Sequence, residues 1–263
     1  MNSKLALYKM YASYVRKLRK GLIVSRPMQG LNKELYFQSD QYINFFRSKI
    51  ISHEERVKKL ITPFIKSGDI VYDVGANIGQ YSMFFSERVG NEGMVISFEP
   101  DVENYSLLVF NKLRNNCDNV TTLNMGVGDK IQEKVFYSDR RTGGRTSSFI
   151  EQYVKVAGDK PNQVTKITTL TQIQKEYGIP SLVKMDVEGF EALALVGLLD
   201  VSDDTSFMIE VRGSTKDDVF SYFDTRKFDC WFLDANTPRQ ISASQDIPGF
   251  SNLFFTKRLL AFS

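Results

Sequence analysis

The chain holds one histidine, two cysteines and one tryptophan in 263 residues. His53, the lone imidazole, is expected as an exposed residue in the first turn of a helix, so no His-based catalytic triad and no His-rich metal site can be built. Cys117 and Cys230 lie far apart without metal-ligand spacing, which points to reduced, structural thiols and a cytoplasmic setting. No apolar run approaches the ~20 residues of a membrane-spanning helix, leaving a soluble or peripheral protein. Acid is missing from one place in particular. Residues 1–33 carry eight Lys/Arg and no Asp or Glu, so the net charge of +3 conceals a basic arm attached to a remainder in which 26 bases face all 31 acids. At 42% hydrophobic, the chain has material for one sizeable core.

The most informative stretch is Ile70-Val-Tyr-Asp-Val-Gly-Ala-Asn-Ile-Gly79. A short β-branched and aromatic run, as expected of a strand covered on both faces, meets Asp73 and then two glycines. Gly75 and Gly79 allow a tight turn, and the helix that follows aims unpaired N–H groups above it. A dinucleotide-binding turn would read Gly-x-Gly-x-x-Gly, whereas Asn77 holds the middle position. Such a loop suits a ligand with positive charge near Asp73 better than a pyrophosphate. The next apolar run, Met94 to Phe98, ends in Glu99-Pro100, where an acid can accept hydrogen bonds from both ribose hydroxyls. A nucleoside pocket with a cationic partner has the shape of S-adenosylmethionine.

Three blocks, Asp73-Val-Gly-Ala-Asn-Ile-Gly79, Phe98-Glu99-Pro100 and Lys184-Met-Asp-Val-Glu-Gly-Phe-Glu191, resemble the signature of the FkbM family of S-adenosylmethionine-dependent methyltransferases. The resemblance spans roughly residues 55 to 258. It implies cofactor contacts from Asp73, Gly75, Ala76, Asn77, Gly79, Glu99 and Pro100. Within Gly126-Val-Gly-Asp129 it places the adenine side of the cofactor, making Asp129 either a binding residue or a turn-forming acid. It also implies O-methylation of a sugar, glycan or polyketide-like hydroxyl.

The expected fold is α/β: a Rossmann-like class I methyltransferase with a mostly parallel seven-stranded sheet and a C-terminal antiparallel hairpin. Residues 1–50 are expected as a basic amphipathic helical arm and linker, and residues 51–263 as the methyltransferase domain. In the arm, Tyr8, Tyr11, Val15, Leu18 and Leu22 fall on one helical stripe. That stripe can pack on the domain, join a second subunit in a homo-oligomer, or lie on a membrane surface; nucleic acid is not an expected partner. Ser52-His-Glu-Glu55 has capping-box spacing, so a helix is expected from there to about Lys66.

Alternation along Lys184, Asp186 and Glu188 places three charges at the carboxyl end of a central strand, where such folds form their ligand crevice. Gly189 is read as leaving room there for a substrate. In place of a histidine, a carboxylate is expected to take the acceptor's proton: Asp186 first, Glu188 or Glu210 next, with Lys184 either orienting that carboxylate or forming a structural ion pair. No metal site is assigned, since Asp186 and Glu210 are too few ligands to define one. The loop Asp139-Arg-Arg-Thr-Gly-Gly-Arg-Thr-Ser-Ser148 is either solvated or an acceptor-binding lid in which Arg140, Arg141 or Arg145 grips the substrate. Two other classes share parts of the pattern: a nicotinamide oxidoreductase, which the glycine spacing opposes, and a cofactor-binding scaffold without catalysis.

Overall fold

The computed structural model describes residues 22–38, 48–138, 147–154, 162–235 and 237–258. Residues 23–38, expected as arm and linker, form an antiparallel hairpin of β1 (Ile23–Pro27) and β2 (Glu34–Gln38). The helical stripe from Tyr8 to Leu18 lies outside the described residues. Helix α1 runs Ser48–Ile61, a turn earlier than the capping-box spacing suggested, and Pro63 lies in a 3-10 turn that ends it before Lys66.

From there strands and helices alternate: β3 (Ile70–Val74), α2 (Gln80–Val89), β4 (Met94–Phe98), α3 (Val102–Arg114), β5 (Val120–Leu123). Short β6 (Gly126–Val127) joins β7 (Gln132–Tyr137) and β8 (Asn162–Thr168) in a separate three-stranded sheet. The remainder is α4 (Leu170–Tyr177), β9 (Leu182–Met185), α5 (Glu191–Val196), β10 (Ser206–Arg212), α6 (Lys216–Asp224), β11 (Asp229–Phe232), β12 (Arg239–Ile241) and β13 (Phe250–Thr256).

The main sheet has the order β5-β4-β3-β9-β10-β13-β11-β12, parallel from β5 to β10 and antiparallel beyond. It is the expected Rossmann-like sheet with one strand more than seven, because β12 adds to the edge of β11. Side chains alternate across it. Val71, Val95, Leu182 and Met208 pack with α1 to α3, while Tyr72, Val74, Ile96, Val183 and Ile209 pack with α4 to α6. Each face is covered, which is why the parallel strands are near-continuous apolar runs.

The hairpin is part of the first of these cores. Leu35 and Phe37 are fully buried, each stabilising the fold by about 1.5–3 kcal/mol. Two asparagines one turn apart, Asn111 on α3 and Asn115 at its C-cap, act toward β2 as a neighbouring strand would. Asn111 accepts from the Tyr36 N–H at 2.7 Å and donates to the Tyr36 carbonyl at 2.9 Å, and Asn115 does the same for Glu34 at 2.8 Å each. Asn111 Nδ2 also donates to the Ile78 carbonyl (2.9 Å), tying the hairpin to the turn after β3.

His53 departs from its expected exposure. It is half-buried, with Nε2 2.7 Å from Asp234 Oδ1, and Asp234 also accepts from the Asn252 backbone and side-chain amides. The Asp234 hydrogen bond outweighs burial and raises the imidazole pKa; Asp234 is held below its ordinary value, as its hydrogen bonds outweigh the cost of burial. A raised histidine contributes stability below its unfolded pKa of 6.5 and loses it as pH rises through the folded value; the lowered aspartate contributes above its unfolded pKa of 3.8. The pair is therefore strongest between those two pH values. His53→Asn should lower Tm at pH 6 by about 1–3 °C, from roughly 0.5–1 kcal/mol after solvent screening, and by less at pH 8.5. Equal losses at both pH values in a calorimetric scan would discard this pairing.

Candidate active site

The carboxyl ends of β3, β4 and β9 open onto a cavity of ≈ 170 Å³. Its floor is the turn after β3. Gly75 and Ala76 both donate to the Phe98 carbonyl (3.0 and 2.9 Å), which folds the turn back over β4. Gly75 has φ +79, and a Cβ there would lie 1.9 Å from the Asp186 carbonyl oxygen, so only glycine permits the close approach of the two strand ends. Asn77, at φ 52, donates its N–H to Glu99 Oε2 (2.7 Å) while its own Oδ1 accepts from Ile78 (2.8 Å).

Glu99 is 5% exposed and accepts from the Asp101 N–H as well (2.9 Å). Burial, and then the nearby Asp101, push its carboxyl up to about 8 against the two backbone donors. Asp101 in turn caps α3 through Glu103 and Asn104.

Below the turn, Lys184 is 5% exposed. Its Nζ donates to the Gly75 carbonyl (2.8 Å) and lies 3.4 Å from Asp73 Oδ1 and 3.9 Å from Asp186 Oδ2. Burial works against this charge, yet Asp73, Asp186 and Glu210 outweigh it and the lysine pKa is raised. Asp73 is fully buried and does not line the cavity. It shares parity with Val71, so it faces α2, where Ser82 donates to it at 2.6 Å. The charge expected from Asp73 at the ligand is therefore spent on Lys184.

The extended conformation expected through Glu188 stops at Met185. Glu188 has φ 54 and Gly189 φ +99, a turn closed by Glu191 Oε1 accepting from the Gly189 N–H (2.9 Å). Even so, Lys184, Asp186, Glu188 and Glu210 all line the cavity. Asp186, Glu188 and Glu210 each bring one carboxylate oxygen within 4.8 Å of the others, a third acid beyond the two weighed from sequence. Glu188 is ion-paired to Arg212. The space above Gly189, expected for a substrate, is taken by Tyr153: a Cβ on Gly189 would lie 2.1 Å from that ring.

Of the expected cofactor residues, Gly75, Ala76, Asn77, Glu99 and Pro100 line the cavity, whereas Asp73, Gly79 and Asp129 do not. Gly79, at φ 96, serves as the N-cap of α2. Arg140, Arg141 and Arg145 lie outside the described residues. Sequence reasoning missed Arg26 of β1 and Glu54 of α1, which line the cavity from elements not expected near it, and Tyr81 of α2, whose helix was expected there only for its N–H groups. The one available signal was Arg26 itself, which alternates with Val24 and Met28 on the covered face of a strand.

Strand order, glycine turn and acid-tipped second strand define a Rossmann-like methyltransferase domain. A family model described as the methyltransferase FkbM domain matches residues 73–230, and the chain belongs to that family of methyltransferases. Among curated proteins, none matches the sequence. Solved structures similar to it include a methyltransferase FkbM from Methylobacillus flagellatus KT (17% identity, TM-score 0.47, 71% of this chain and 43% of that one). Others are TYW2 of P. horikoshii in complex with MeSAdo (14%, 0.48, 89% and 69%) and a SAM-dependent O-methyltransferase of Thermotoga maritima (12%, 0.44, 92% and 80%). The chain thus spans less than half the length of the first of these.

Proposed function

We propose that this methyltransferase uses S-adenosylmethionine to methylate a hydroxyl of a sugar, glycan or polyketide-like acceptor, with Asp186 as the base. The observation that carries this reading is the placement of Asp186. Its side chain is 37% exposed in the cavity, and its backbone is wedged against Gly75 with its N–H on the Val74 carbonyl (3.0 Å). A carboxylate fixed beside the cofactor turn is positioned to take a proton as the hydroxyl attacks the sulfonium methyl in line. Lys184 holds that carboxylate in place and keeps the turn closed from below. Incubation with methyl-labelled cofactor and a panel of hydroxylated glycans and lipid-linked sugars tests it: transfer to a hydroxyl oxygen is expected, and transfer only to nitrogen or carbon acceptors sinks it.

Glu99 makes the cofactor half separately testable. Each carboxylate oxygen has one backbone donor and a remaining lone pair for a ribose hydroxyl. Two donated hydroxyls favour the ionised form, so the cofactor binds the deprotonated state of a group whose pKa is about 8. Affinity for S-adenosylhomocysteine should therefore rise about 25-fold from pH 6.5 to 8.5, in step with the ionised fraction, and Glu99→Gln should abolish the slope. A flat titration series in the wild type removes Glu99 from ribose recognition.

A second reading is favoured by the three convergent acids: Asp186, Glu188 and Glu210 hold a divalent cation that lowers the hydroxyl's pKa. The Arg212 partner of Glu188 competes with it. Turnover that survives exhaustive chelation excludes this reading. The arginine loop, as acceptor lid, belongs to the same proposal; the basic arm is proposed separately, as a contact with its own domain, a second subunit or a membrane surface.

A further inference from the structure

Inward positions of the N-terminal hairpin are apolar with one exception. Leu35 and Phe37 are buried from β2, and in β1 the buried inward position is Arg26, 6% exposed. A guanidinium cannot shed its proton to escape burial, so it must be paired or solvated. Among the described residues its hydrogen bonding is one long contact, Nη1 to the Pro27 carbonyl at 3.3 Å, and Nε has no partner. No carboxylate lies within ion-pair distance of it among the described residues; Glu54 and Glu55 act on it only through space. Arg26 lines the cavity, and so does Glu54, which stands beside the Tyr81 hydroxyl.

We infer that Arg26 and Glu54 form the subsite for the zwitterionic amino-acid end of the cofactor, Arg26 binding its carboxylate and Glu54 its ammonium. This rests on the cofactor reading given above. A planar fork with a free Nε–H matches a carboxylate in geometry and sign, and an acid next to it completes the complement of an α-amino acid. Glu99 and Pro100 line the cavity from the end of β4, Arg26, Glu54 and Tyr81 from β1, α1 and α2, and Asp186 from the end of β9. A nucleoside seated on Glu99 shares this cavity with Arg26 and Glu54, the pair of opposite charges that its amino-acid end requires. Neither residue falls within the part matched by the family model, residues 73–230. The hairpin is held for that task by Asn111, which bonds β2 and the Ile78 carbonyl at once.

The test compares two ligands by calorimetry: S-adenosylhomocysteine, which carries the amino-acid end, and 5′-methylthioadenosine, which lacks it. Arg26→Gln is expected to weaken the first by about 10- to 100-fold and to leave the second within twofold. Glu54→Gln should show the same selectivity. Unchanged affinity for S-adenosylhomocysteine overturns the assignment, as does an equal loss for both ligands. Because Arg26 is buried, Arg26→Lys is measured alongside, with an intermediate loss expected. The wild type itself should bind decarboxylated S-adenosylmethionine about 10- to 100-fold more weakly than the intact cofactor, and equal affinities overturn the carboxylate contact. A wild type that binds neither S-adenosylhomocysteine nor methylthioadenosine refutes the cofactor reading as well.

Discussion

Asp186→Asn should lower methyl transfer by about 10²-fold or more while S-adenosylhomocysteine affinity stays within about tenfold. The substitution keeps the shape of the side chain, and the Asp186 backbone stays wedged against Gly75 with its N–H on Val74, so the cofactor turn is not disturbed. What the substitution removes is the basicity of the carboxylate proposed to receive the acceptor's proton. Single-turnover transfer from methyl-labelled cofactor isolates this step from product release. Wild-type rates in the variant would move the base to Glu188 or Glu210, both of which line the same cavity. A rate recovered by added Mg²⁺ or Mn²⁺ would instead favour the three-acid cation reading.

Lys184→Met is expected to be the most destabilising of the substitutions considered, by about 3–5 kcal/mol, because it strands a buried charge. Asp73 has no exposure, and its Oδ1 has no hydrogen bond apart from the lysine approach at 3.4 Å. At roughly 2–4 °C per kcal/mol, Tm should fall by about 6–20 °C. The double variant Lys184→Met/Asp73→Asn should lose less than the sum of the two single variants, since the amide carries no stranded charge. Additive losses would mean that Lys184 supports the turn through the Gly75 carbonyl alone.

The parts legible in the sequence are those where one physical effect dominates. The buried strands Ile70–Val74 and Met94–Phe98 follow directly from their apolar runs. Elements that depend on distant partners were not. The hairpin has a charge at a covered position and is made stable by Asn111 and Asn115, more than 70 positions away. The three-residue β12 carries too little pattern to register. Within the site, the motif acids were legible as acids at strand ends, whereas the direction each faces was not. Asp73 turns down to Lys184 because parity along β3 sends it to the α2 face; Glu188 turns because its backbone leaves the extended region.

The asparagine clamp also sets a timetable for synthesis. Tyr36 is bonded by a residue 75 positions later, so at about 5–20 residues per second the hairpin leaves the ribosome roughly 4–15 s before its clamp is made. An isolated two-stranded hairpin has little stability in water. During that interval Leu35 and Phe37 have no core to enter, since the α2 and α3 residues that bury them are not yet translated. The nascent chain therefore exposes the apolar side of this hairpin for seconds, and a change in translation speed lengthens or shortens that exposure.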